Sequence, residues 1–160
     1  GRRPAKTAMN FAFVAAHPAV IETLLQTARP YIYTTAAPPL LAEVLSASLA
    51  IIRDDASRRA HLAALILRFR ERARSLPFKL AYSRTAIQPL IVGANDAAVG
   101  LSEALMKRGF FVPAIRPPTV PQGTARLRVS LSAAHTIADV DALADALAAL
   151  APEFASTKSR

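Results

Sequence analysis

Arg126 and Arg128 stand two residues apart in a run, Ala125-Arg126-Leu127-Arg128-Val129-Ser130-Leu131-Ser132, that alternates polar and apolar side chains. A period of two predicts a half-buried strand, with Arg126, Arg128, Ser130 and Ser132 on one face and Leu127, Val129 and Leu131 on the other. A guanidinium is a planar fork of donors suited to gripping a carboxylate or phosphate through two parallel hydrogen bonds, and a strand holds it more firmly than a loop. The face is therefore a candidate anion site. Spacing alone also allows, and general frequency favours, two solvated cations. A third guanidinium, Arg116, opens Arg116-Pro117-Pro118-Thr119-Val120-Pro121. Its three prolines fix φ and remove backbone donors, so 116–121 reads as a rigid loop, neither helix interior nor central strand. Gly123 offers the turn into the strand.

Other elements must hold this strand in place. Ala12 to Ala15 reads as a short strand, and His17-Pro18 starts a helix that ends near Thr27. Arg29-Pro30 stops it, and Tyr31 to Thr35 reads as extended. Pro38-Pro39 opens a long helix with Leu41, Val44, Leu45, Ser48, Leu49 and Ile52 as its buried stripe, ending at Asp54-Asp55. An arginine-rich helix follows with Leu62, Leu65, Ile66, Phe69 and Ala73 on its apolar side. After a connector over Pro77 to Ser83, Ala86 to Val92 is predicted as a strand. A helix then runs to Arg108, capped by Gly93-Ala94-Asn95-Asp96, with apolar Val99, Leu101, Leu105 and Met106. Gly109 ends it, Phe110 to Val112 is a second short strand, and the Arg126 strand is the third. Thr136 and Asp139 form a capping-box pattern for a last helix, with Val140, Leu143, Ala144, Leu147 and Leu150 inward and a frayed tail from Pro152. Strands separated by single helices in the second half imply an α/β fold, a small and largely antiparallel sheet covered by helices on one face.

The 160 residues, 52% apolar and 19% charged, suffice for a globular core. No apolar run is long enough for a membrane span and no secretory leader is evident, so the expectation is a cytoplasmic protein without membrane contact. With no cysteine there is no disulfide or thiolate ligand, and His17, His61 and His135 lie too far apart for a local metal motif. A net charge of +9 raises nucleic acid as a partner, yet the basic groups between Arg53 and Arg84 fall mostly on the wet face of one helix and lack interleaved aromatics. A non-catalytic basic domain binding nucleic acid or a protein remains the alternative from another functional class.

The segment Ala-Ile-Arg-Pro-Pro-Thr-Val-Pro from Ala114, with Gly123-Thr124-Ala125-Arg126-Leu127-Arg128, resembles the α-oxoamine synthases. Within that family it is similar to the biotin-pathway group, the 8-amino-7-oxononanoate synthases. The similarity continues through Tyr31-Ile32-Tyr33-Thr34-Thr35-Ala36-Ala37-Pro38-Pro39 and Ala86-Ile87-Gln88-Pro89-Leu90-Ile91-Val92-Gly93, covering roughly residues 11 to 150.

The resemblance implies the small C-terminal domain of the aspartate-aminotransferase fold, preceded by long connecting helices. On that basis 1–10 is an altered or foreign arm, 11–55 the end of the large domain with the interdomain helix, 56–151 the small domain, and 152–160 the tail. It implies a pyridoxal 5'-phosphate enzyme, a homodimer when complete, that condenses L-alanine with a pimeloyl thioester, on coenzyme A or a carrier protein, and loses carbon dioxide to give 8-amino-7-oxononanoate. Another member using glycine or serine is the neighbouring alternative. In this frame Arg128 matches the arginine that holds the amino-acid carboxylate, and Arg116 is a second candidate, for the acyl carboxylate or thioester carrier. Thr35, or else Thr34, matches a hydroxyl that contacts the cofactor phosphate; without the resemblance both read as ordinary strand or capping threonines. The Schiff-base lysine would fall at Ala5, so Lys6 is one place off register and the family's glycines are missing around it. With less than half of such an enzyme present, little or no activity is expected of this chain alone.

Overall fold

The computed structural model describes residues 14–33, 35 and 38–155. The chain divides into two compact units, Gly1–Leu49 and Ala50–Arg160.

In the first unit, helix α1 spans Pro18–Thr27. Proline suits its first position, where no N–H partner is needed, and the His17 ring nitrogen Nδ1 accepts the Ala19 N–H at 3.3 Å. Val14 and Ala15, the described part of the strand expected over 12–15, are not in a strand. Tyr31 and Ile32 are not extended either. They belong to a short helix α2, Arg29–Ile32, in which the extended backbone of Ala28 lets a new helical turn start and Pro30 sits within its first two positions. The Ile32 N–H donates to the Ala28 carbonyl at 3.0 Å. Proline therefore begins an element here as well as ending one.

Helix α3, Pro39–Asp54, begins at the expected proline, but none of its residues is buried. Val44, Leu49 and Ile52 are 54%, 58% and 62% exposed, and Leu41 is half-buried. The stripe is present in the pattern, while burial also requires an apolar surface lying against it.

In the second unit, helix α4 is Ala56–Ala73, strand β1 Lys79–Leu80, β2 Ile87–Gly93, helix α5 Asn95–Lys107, β3 Ala114–Ile115, β4 Ala125–Ser130 and helix α6 Ile137–Ala155. The strands form one antiparallel sheet in the order β1-β2-β4-β3. Leu90, Leu127, Val129 and Leu131 from its inner side join Leu65 and Phe69 of α4, Leu101 and Leu105 of α5, and Val140, Leu147 and Leu150 of α6 in one buried core. The expected α/β fold class is what the chain adopts.

Local differences have local causes. The strand expected over Phe110–Val112 is displaced to Ala114–Ile115, where main-chain groups meet β4, while the Val112 carbonyl is taken by the Ser102 hydroxyl at 2.6 Å. On α5 the buried set is Ala97, Ala98, Leu101 and Leu105; Met106 is exposed, Val99 half-buried, and Ala94 rather than a polar side chain precedes the helix. Gly109, at φ +90°, closes α5 with its N–H on the Met106 carbonyl and that of Phe110 on Leu105, a paired bond pattern that needs a left-handed residue. Thr136 and Asp139 exchange hydrogen bonds as a capping box: the carboxylate accepts the Thr136 N–H at 2.7 Å, and the hydroxyl accepts the Asp139 N–H at 3.2 Å. Helix α6 runs beyond Pro152 to Ala155, where Phe154 packs against the core and lies over Gly100, so that a Cβ there would stand 2.8 Å from its ring and force the ring to shift.

The arginines of α4 are more engaged than a solvated face would require. Arg68 makes a two-pronged pair with Asp141 at 2.8 and 3.1 Å, and Arg72 bonds Asp145. Arg70 answers a different need. Pro89 sits beside Ala81 in the β1–β2 ladder and accepts its N–H, but has no N–H to return. The Arg70 guanidinium supplies the missing donor to the Ala81 carbonyl at 3.4 Å and bonds the fully buried Gln88 side chain at 2.8 Å. The Gln88 amide in turn donates to the Thr85 carbonyl at 2.6 Å, so this buried polar group is satisfied at both ends.

Candidate substrate-binding face

Strand β4 alternates as its sequence predicts. Ala125, Leu127 and Val129 are buried, while Arg126 is half-buried and Arg128 and Ser130 are exposed. Register across the sheet assembles the outer face. One row runs Lys79, Ile91, Arg126, Ile115; the next pairs Pro89 with Arg128; Ile87 faces Ser130. This face combines aliphatic ground with cations on a rigid backbone. The two arginines of β4 are separated by about 7 Å along the strand.

They are not equivalent. Arg126 spends its Nε on the Thr124 carbonyl at 3.0 Å and its Nη2 on the Thr124 hydroxyl at 3.1 Å. The Arg128 side chain has no hydrogen-bond or ion-pair partner among the described residues, while its backbone N–H is fixed to the Pro113 carbonyl at 2.9 Å. A guanidinium on a strand held from both sides, with its donors unspent, has the geometry that two-pronged binding of an anion requires. Arg116 immediately follows Ile115, the partner of Arg126, and is exposed, also without a side-chain partner among the described residues. The loop it opens turns twice, from the Arg116 carbonyl to the Thr119 N–H at 3.1 Å and from the Pro121 carbonyl to the Thr124 N–H at 3.2 Å. Arg116 thus stands just past β3, at the mouth of the β3–β4 connection, and Arg128 within β4.

Thr35 belongs to the first unit and is exposed. Thr34 and Lys6, with the arm over 1–10, lie outside the described residues. The clasp between Arg126 and Thr124 and the support given by Arg70 to Gln88 are not among the features predicted from the sequence. A signal for the second existed: a proline inside a predicted strand demands that a neighbour's carbonyl find another donor.

The chain belongs to the aminotransferase class I and II family, whose model matches residues 7–147. Among curated relatives it is 61% identical over 140 residues to the 8-amino-7-oxononanoate synthase of Nitrosomonas europaea, covering 88% of this chain and 36% of that protein. It is 58% identical over 153 residues to the same enzyme of Leptothrix cholodnii, covering 90% of this chain and 38% of the relative. The chain thus spans little more than a third of the length of these relatives. Similar solved structures include a Sphingomonas wittichii serine palmitoyltransferase, 29% identical with a TM-score of 0.80 over 88% of this chain and 36% of that one. The Francisella tularensis 8-amino-7-oxononanoate synthase is 26% identical with a TM-score of 0.73, covering 86% and 40%. A serine palmitoyltransferase solved with pyridoxal phosphate gives 26% and 0.80, covering 88% and 36%.

The described residues do not by themselves build a pyridoxal-phosphate site. Their two lysines, Lys79 and Lys107, are both exposed. A cofactor lysine has to be enclosed and held at one distance from the ring. In the second unit the exposed Arg128 guanidinium has its donors free among the described residues. Among the described residues no cluster of His, Asp and Glu could hold a metal ion, and no helix is long and apolar enough to cross a membrane.

Proposed function

We propose that this chain is the C-terminal part of a pyridoxal-phosphate-dependent acyltransferase that condenses L-alanine with a pimeloyl thioester, loses carbon dioxide and yields 8-amino-7-oxononanoate for biotin synthesis. The high identity to synthases of that name supports the choice of reaction. The observation that carries the role of the chain is the unspent guanidinium of Arg128 on a fixed strand. In this reading Arg128 receives the amino-acid carboxylate, Arg116 the carboxylate or carrier of the acyl partner, and Thr35 or Thr34 a phosphate oxygen of the cofactor. The cofactor's chemistry belongs to the complete enzyme, a cytoplasmic homodimer, in which 11–55 form the end of the large domain with the interdomain helix and 56–151 the small domain.

In the complete enzyme, Arg128→Ala should weaken alanine binding roughly 10- to 100-fold, the range for losing a charged hydrogen-bond pair. Calorimetric alanine binding measures it directly, and unchanged affinity would overturn the assignment. Arg128→Lys should recover only part, because an ammonium lacks the two-pronged fork. A second reading, condensation with serine, draws on the serine palmitoyltransferase likeness, which has the higher TM-score. Backbone likeness is shared across such enzymes whatever amine they take, so the far higher sequence identity to the alanine-using group weighs more. A panel of alanine, serine and glycine on the complete enzyme decides between them.

A further inference from the structure

Arg126 and Arg128 share a face and a strand, yet only one of them is available to a ligand. We propose that Arg126 is a positioning residue: it clasps the return of loop 116–124 to the sheet and thereby sets Arg116 for the acyl partner. This rests on the role proposed above for Arg116.

The loop leaves the sheet after Ile115 and re-enters at Ala125, and Ile115 is the register partner of Arg126, so the clasp sits at the loop's neck. Its prolines stiffen the loop internally but withhold the donors that would tie it down. The tie comes from side chains. The Thr124 hydroxyl donates to the Pro121 carbonyl at 2.6 Å and accepts from Arg126 Nη2 at 3.1 Å, while Arg126 Nε takes the Thr124 carbonyl at 3.0 Å. Arg126 is itself held half-buried between Ile91 and Ile115 in the register of the sheet. At the loop's return to the sheet Gly123, at φ +71°, brings its carbonyl oxygen to 3.8 Å from where a Cβ on Gly93 would stand, so the turn rests against the end of β2. Breaking the fork releases the stem opposite Arg116 without touching Arg116 itself.

The test uses the complete enzyme with Arg126→Leu, which keeps apolar volume between the two isoleucines, and Thr124→Val, which removes the hydroxyl from the other side. Each should raise KM for the acyl thioester about five- to tenfold, the equivalent of the hydrogen bonds lost, with kcat and KM for alanine within about twofold. In an Arg116→Ala background Arg126→Leu should add nothing further, since the residue through which it acts is gone. Amide exchange supplies a readout independent of turnover: the Thr119 and Thr124 N–H groups should exchange about tenfold faster in Arg126→Leu, while that of Leu131, bonded to the Ala86 carbonyl, is unchanged. Multiplicative effects of the two arginine substitutions, or an equal loss of kcat with both KM values unmoved, would overturn the proposal. If Arg116→Ala alone leaves the acyl KM unchanged, the role given to Arg116 fails and the positioning proposal goes with it; faster exchange at Thr119 and Thr124 would then leave a purely structural clasp.

Discussion

Helices α3 and α6 carry the same kind of apolar stripe and meet opposite fates. In α6, Val140, Leu143, Ala144, Leu147 and Leu150 are all buried; in α3, Val44, Leu49 and Ile52 are all exposed. Leucine spacing is common to both, so the difference lies in what each stripe has to face. Helix α6 finds α4, α5 and the sheet within its own unit, whereas α3 buries none of its residues. An amphipathic pattern specifies a face and leaves its partner open.

The largest effect that would sharpen this contrast comes from truncating one apolar residue in each helical layer. Phe69→Ala should cost the second unit about 3–5 kcal/mol, because its ring is fully buried, while Leu49→Ala on α3 should stay within about 0.5 kcal/mol. Denaturant unfolding of both variants measures the gap, and comparable losses would show that α3 is packed in solution.

A smaller loss, about 1–3 kcal/mol, is expected for Gln88→Leu, which leaves a half-buried Arg70 and the Thr85 carbonyl each short of a partner. Wild-type stability in that variant would mean that water replaces the amide at no cost. The smallest effect is acid-dependent. Hydrogen bonds from the Ser57 hydroxyl, then from the Arg58 side chain and N–H, lower the Asp55 carboxyl to about 2. Its stabilisation is therefore present above the unfolded value of about 3.9 and disappears as pH falls through the folded one. The Thr136 N–H and hydroxyl hold Asp139 below its usual range, and the Arg68 guanidinium does the same to Asp141. Melting Asp55→Asn beside wild type from pH 5 to 2 should show a gap that closes on acidification; a constant gap would assign the effect to capping geometry alone.

The elements that read correctly from sequence were those whose cause is local. The capping box needs only Thr136 and Asp139 three residues apart, and the alternation of β4 needs only its own run. What escaped was set by partners far along the chain. Arg68 and Arg72 find Asp141 and Asp145 across 73 positions, and only the matching four-residue spacing of the two pairs hints at the contact. The free state of Arg128 and the committed state of Arg126 could not be told apart by alternation either, since both face the same way. Their difference is made by Thr124, whose carbonyl and hydroxyl stand where one guanidinium ends and the other does not.

Both outer strands of the sheet, β1 and β3, are only two residues long. An edge that short presents too few unsatisfied main-chain groups to template a foreign strand, and Pro113, just ahead of β3, has no N–H to offer one. Self-association of this chain should therefore begin at the apolar flanks of α1 and α3, producing reversible helical clusters rather than cross-β fibres.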